Sequence, residues 1–279
     1  MDENNPVHPD MPFHICSISK WVTTLGVMIL CERSILPLDR NVNDYLNDWK
    51  VRGIDGQEVD TVTLRHLLSH TSGVVDGEDS FTGYRDSMGH INELDILEGR
   101  FTYNQRPARG EHEPGEVFEY SDAGYVIVQK VIETVMRSDF EQIMEQLIFA
   151  PLKMEHTFYG TRTNFESRED LSSGYDSNGK PNDEKQILCP DLAAAGLWST
   201  PYDMLILAQE FIDAMHDSGQ VLPRQYISQM LSPQFTKSVG LEWVLFLNKP
   251  MDLFQKVGGG RAVHAICGLC TGICLYSDG

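Results

Sequence analysis

The apolar residues Ile18, Trp21, Val22, Leu25, Met28 and Ile29 recur at three- and four-residue spacing, which predicts a helix from about Ser17 to Glu32 that ends before Pro37. Threonines and a glycine interrupt the longest apolar stretch, Trp21 to Cys31, so it reads as a buried helix and no membrane span is expected. Thr63 caps a short helix, TLRHLL, stopped by the turn residues Thr71-Ser72-Gly73. Residues 74–116 are rich in Gly, Asp, Glu and Arg and read as loop with short helices. A second long helix is expected from about Asp122 to Arg137, followed by Phe140–Ile148, which ends at Pro151. Residues 160–187 are polar and turn-rich. Thr200-Pro201-Tyr202-Asp203 supplies a capping Thr, Pro at the first helical position and an acid in the first turn, and another helix follows Pro223. The C-terminal stretch changes character: LEWVLFL, DLFQKV and ICGLCTGICLY read as strands. A helical middle with a sheet assembled from the end of the chain is an α+β arrangement.

One pattern on the first helix carries chemistry. Ser17-Ile18-Ser19-Lys20 sets a hydroxyl and an amine three residues apart at a helix start, on one face. The N-terminal N–H groups and positive dipole end suit a developing oxyanion. A serine hydroxyl needs a base to become a nucleophile, and a lysine serves if burial or a nearby cation depresses its pKa. Taken alone, S-x-x-K reads more readily as a helix cap with a surface lysine.

The flanking sequence adds the rest. The run FHICSISKWVTTLGVMILCERSILPLDRNVNDYL resembles the nucleophile helix of the serine β-lactamase and penicillin-binding-protein group, which includes class C β-lactamases, D-alanyl-D-alanine carboxypeptidases and family VIII carboxylesterases. VTLRHLLSHTSG, at 62–73, resembles the group's structural segment almost letter for letter. Pro114–Tyr125 resembles its Y-x-N motif with flanks, and Ala194–Thr200 the stretch opening a later helix near the site. For the third motif, K/H/W-x-G on a strand facing the serine, Lys256-Val257-Gly258 is preferred over His264-Ala265-Ile266, which lacks the glycine that permits close approach.

The resemblance implies a single β-lactamase/transpeptidase-like domain over residues 1–279, with a helical subdomain at roughly 34–190 and sheet-associated parts at roughly 1–33 and 191–279. It implies Ser17 as the residue acylated, Lys20 and Tyr120 as the proton carriers, and the N–H groups of Ser17 and Gly259 as the oxyanion hole. Lys256 would steady a substrate carboxylate or the field around Tyr120, with Asp122, Gly258 and Gly259 lining the substrate site. A phenol beside ammonium groups releases its proton more readily, which fits that division. One position departs from the pattern: the second motif carries Asp122 where asparagine is usual. An ionised aspartate offers only acceptors and favours a charged Lys20, which disfavours amide and β-lactam cleavage and leaves ester cleavage more plausible.

The expected activity is a serine hydrolase acting through an acyl-enzyme on small ester, amide or β-lactam substrates, with no cofactor and no metal. Its rivals are a catalytically weak penicillin-binding or sensor protein and an acyltransferase using the same acyl-serine. The net charge of −19 disfavours a nucleic-acid partner. No signal segment is seen, which with the cysteine content suggests a cytoplasmic location if the N-terminus is complete. Few residues precede Ser17 and few follow the third motif, so the sheet is expected to be shortened, with exposed edges that invite self-association. Cys267, Cys270 and Cys274 read as small residues of a buried strand, His66 and His70 as hydrogen-bonded core or turn histidines, Cys16 as helix-start packing and Glu111–Glu113 as solvated loop.

Overall fold

The computed structural model describes residues 6–77, 80–81, 91–100, 106–168, 170–174 and 188–235, together with the backbone of four strands between residues 244 and 278. The chain enters through a short strand, β1 (Phe13–His14), and turns directly into α1 (Ile18–Glu32). Nearly every position of α1 is buried, including Ser19, Lys20, Thr23 and Thr24, so this helix is the axis of the core rather than a half-buried surface helix. A 3₁₀ turn (Val42–Asp44), α2 (Leu64–Leu68), β2 (Val74–Val75), α3 (Glu93–Leu97) and β3 (Arg109–Gly110) follow. The second long helix is α4 (Asp122–Met136).

The expected stop at Pro151 is replaced by a change of helical pitch. α5 (Phe140–Met144) runs through a π turn at Glu145–Phe149 into α6 (Ala150–Leu152), and the chain leaves the helix only at Lys153, in the left-handed region at φ 58°. Pro151 stands in the first turn of α6 directly after the π turn, so a residue without an N–H is carried within a continuous run of helical turns. β4 (Phe158–Tyr159) and α7 (Arg162–Glu166) come next, then α8 (Leu192–Ala195), β5 (Leu197–Ser199), α9 (Pro201–Met215) and α10 (Arg224–Leu231). Thr200 caps α9 as the sequence suggests, accepting from Asp203 N at 3.1 Å. Asp203 does more than complement the dipole: it is buried and accepts from His156 N and Thr157 Oγ1.

β5 is the middle of a three-stranded antiparallel sheet, with β1 on one side and β4 on the other. The chain ends in a four-stranded antiparallel meander, β6 (Val244–Phe246), β7 (Leu253–Gly260), β8 (Val263–Cys270) and β9 (Ile273–Asp278). The single strand expected over ICGLCTGICLY is therefore two, the end of β8 and most of β9, paired as Cys270↔Ile273. β7 lies against α1 and β9 against α9. Helices and antiparallel sheets in these layers make an α+β fold. Among the described residues, no helix is long and apolar enough to cross a membrane.

Candidate active site

Cys16, between β1 and α1, adopts φ 48°, the left-handed region that a residue with a Cβ avoids at a cost of about 1–3 kcal/mol. That turn swings the chain from the sheet into the helix and sets Ser17 at the N-cap of α1, where its side chain makes no capping bond. Ser19 ties the turn down: its hydroxyl donates to Cys16 O at 2.5 Å and accepts from Leu197 N of β5 at 3.0 Å. Cys16 itself is buried against the His14 imidazole, Sγ to Nδ1 3.4 Å, and burial pushes its thiol up to about 12.

The short helix α8 then meets α1 through its last carbonyls. Thr23 Oγ1 donates to Ala193 O at 2.9 Å, Lys20 Nζ to Ala194 O at 2.9 Å, and His14 Nε2 lies 2.6 Å from Ala195 O. Lys20 is fully buried, and its amine also lies 3.3 Å from Ser17 Oγ and 2.5 Å from Asp122 Oδ1. An ammonium donates to all three oxygens. A neutral amine donates to the carbonyl and the carboxylate and turns its lone pair to Ser17, whose hydroxyl must then donate. Burial disfavours the charged form, but Asp122 and Tyr120 together outweigh it and hold the ammonium well above the usual lysine range.

Tyr120 and Asp122 flank the start of α4. Lys20 Nζ stands 4.9 Å from the centre of the Tyr120 ring and 5.6 Å from that of Tyr125. The exposed Tyr120 ring stacks on His70, with centroids 4.3 Å apart. His70 is buried at φ 55°, and its Nδ1 accepts from Ser121 N at 3.1 Å, which assigns the ring proton to Nε2 in the neutral form. His66 completes the capping box of α2 by accepting from Thr63 N at 3.2 Å. Both histidines are thus occupied by main-chain contacts. The structure brings Ser17, Lys20, Tyr120 and Asp122 together.

The third-motif positions are placed by backbone alone. Lys256, Gly258 and Gly259 lie on β7, opposite Cys267, Ala265 and His264 of β8 respectively. Side chains alternate along a strand and directly opposed residues share a face, so positions 256 and 264 fall on opposite faces of the hairpin. β7 continues past Gly258 to Gly260 rather than ending at the triplet. Cys267, Cys270 and Cys274 lie on β8 and β9.

Sequence reasoning did not single out His14, His70 in contact with Tyr120, the α8 carbonyls, or Asp76. Main-chain acceptors leave no trace in residue identity. His70 falls within the matched structural segment, but its contact with Tyr120 spans a long sequence separation.

The model of the Beta-lactamase family matches residues 1–268. The chain belongs to the beta-lactamase family. Penicillin-binding protein 4* of Bacillus subtilis (strain 168) is 31% identical over 176 residues, 63% of this chain and 37% of that protein. Protein flp of Staphylococcus aureus (strain MW2) is 26% identical over 219 residues, 76% of this chain and 39% of that protein. The chain thus spans under two-fifths of the length of these relatives. Among solved structures, the D-amino acid amidase of Ochrobactrum anthropi SV3, complexed with L-phenylalanine amide, superposes with a TM-score of 0.77 at 22% identity, covering 99% of this chain and 78% of that one. The octameric penicillin-binding protein homologue of Pyrococcus abyssi gives 0.76 at 24%, covering 95% and 60%. These likenesses show a β-lactamase/transpeptidase-like fold.

Proposed function

We propose that this member of the beta-lactamase family is a serine hydrolase that acylates Ser17 on small ester, amide or β-lactam substrates. The observation that carries it is the Ser17 hydroxyl 3.3 Å from the amine of a fully buried lysine, itself anchored to Ala194 O. Ser17 Oγ attacks the carbonyl carbon, its proton passes to the Lys20–Tyr120 pair, and the oxyanion is met by the N–H groups of Ser17 and Gly259. Collapse expels the leaving group, which takes up the proton, and water repeats the sequence to free Ser17. Lys256 is the proposed partner of a substrate carboxylate. With Asp122 beside it, Lys20 serves mainly as a fixed cation, and Tyr120 carries more of the proton transfer. That division favours esters, whose alkoxide leaving group needs less help than an amine.

The Lys20–Asp122 pair also favours a second reading, a penicillin-binding protein that acylates but deacylates slowly, because a charged lysine is a poor base toward water. One experiment separates them. A fluorophosphonate and a p-nitrophenyl ester should label Ser17 in the wild type and not in Ser17→Ala, and the lifetime of the acyl-enzyme is then measured. Rapid turnover supports the hydrolase, and stable labelling supports the binder. An Ala variant that keeps most of the activity overturns both.

A further inference from the structure

Asp76, in the loop after β2, is a partly buried carboxylate with no part in the chemistry above. Its Oδ1 accepts from Ser121 Oγ at 2.9 Å and from Ala123 N at 3.0 Å, while its Oδ2 accepts from Asp122 N at 2.8 Å. The two main-chain donors belong to the peptide groups on either side of Asp122. Both carboxylate oxygens therefore grip the backbone of the one residue whose side chain reaches Lys20 Nζ at 2.5 Å.

We propose that Asp76 is a positioning residue for the second motif, holding the backbone of Tyr120–Ala123 so that Asp122 and the phenol face Lys20. Asp76 shares the capping of α4 with Ser121: the Ser121 Oγ accepts from Gly124 N at 3.0 Å while its proton goes to Asp76, and Asp76 takes the Asp122 and Ala123 N–H groups that this cap leaves open. The location also works against the charge, because burial first and the Asp122 carboxylate second raise the Asp76 pKa. The grip is itself held from behind. Arg106 Nη2 donates to Asp76 O at 3.0 Å and its Nη1 pairs with Glu111 at 3.2 Å. On the other side of the motif His70 O accepts from Glu119 N at 2.8 Å, and His70 Nδ1 takes Ser121 N. Segments 70–76 and 111–123 are zipped together, and Asp76 is the last tooth.

This inference rests on the Ser17 reading, so the test first asks whether wild-type Ser17 is titrated by a fluorophosphonate; if it is not, that reading fails and Asp76 is not at issue. Asp76→Asn keeps the shape but leaves an amide donor facing a main-chain or hydroxyl donor in either orientation. Per titrated Ser17, kcat for a p-nitrophenyl ester should fall about tenfold with KM little changed, as displacement of reacting groups predicts. In the Asp122→Asn background the fold-effect of Asp76→Asn on kcat should be clearly smaller than in the wild type, because Asp76 acts through that residue. A lower melting temperature with unchanged kcat per titrated serine, or an equal fold-effect in both backgrounds, would show a cap and no more, and overturn the proposal. Asp76→Ser, which retains one acceptor, is the second variant. If neither accumulates as folded, titratable protein, Asp76 is a folding residue and the proposal is likewise overturned.

Discussion

Ser17 and Asp122 compete for the same amine. Lys20 is hydrogen-bonded to Ser17, Ala194 O, Asp122 and Tyr120, and only the contacts to the two hydroxyls can reverse their sense. The carboxylate raises the lysine pKa, so the neutral amine becomes available only at alkaline pH. Asp122→Asn removes the anion and supplies an amide donor for a substrate carbonyl. The lysine pKa then falls, and the rising limb of the pH–rate profile should move to lower pH. Amide or β-lactam turnover should improve relative to ester turnover. Measuring kcat/KM for an ester and for nitrocefin from about pH 6 to about pH 10, wild type against variant, checks both. An unmoved limb with an unchanged ester-to-lactam ratio would mean that the ion pair does not control the base. This residue was legible in the sequence as a departure from a motif, and so were Ser17, Lys20 and Tyr120 as positions within motifs. The partners that orient them were not, because a side chain bonded to a carbonyl is indifferent to which residue owns it.

At the scale of elements, the site depends on how closely loops approach. Gly73 has φ +77°, and a Cβ there would stand 2.0 Å from His112 O. That carbonyl is main chain and cannot swing aside. Gly73→Ala should therefore cost about 2–4 kcal/mol, combining backbone strain with a forced separation of the two zipped segments. Activity should fall more steeply than stability as the second motif shifts. Denaturant midpoints alongside kcat would show it, and a loss under about 0.5 kcal/mol would contradict it. The glycine was readable as the end of a turn, and helix starts at Thr63 and Thr200 were readable from their capping residues. The π turn before Pro151 was not, since the spacing of the buried Ile148 and Phe149 is equally compatible with an α-helix. The strand boundary inside ICGLCTGICLY was missed because apolar continuity hides a tight reversal.

For the whole molecule, a buried histidine and a half-buried glutamate pull stability in opposite directions across mildly acid pH. Burial lowers the His14 pKa from 6.5 to about 4, so the unfolded chain binds the extra proton and stability is lost as pH falls through that window. Glu133 is raised from 4.5 to about 7, by burial first and then by Glu93, so its contribution is present below 4.5 and is lost as pH rises toward 7. The wild-type profile should consequently be flatter than either group alone would make it. Glu133→Gln keeps the acceptor for Phe140 N and removes the ionisation. The variant should melt a few degrees above wild type near pH 8 and close to it near pH 4.5. A difference independent of pH would show that Glu133 is neutral or solvated at all pH values. The order of motifs made the architecture legible from sequence. Which helix forms the axis of the core was partly legible, through the apolar run of α1, but not that its polar residues are buried too.

The α8 carbonyl that holds Lys20 has a consequence for descent. An acceptor on the main chain persists through any codon change at position 194 that preserves the backbone, so drift cannot easily detach the lysine there. The acceptor on Asp122 differs: aspartate and asparagine codons are separated by a single transition. A lineage can thus switch the charge beside its nucleophile in one mutational step while the lysine stays tethered, sampling chemistries without first surrendering the scaffold that makes them possible.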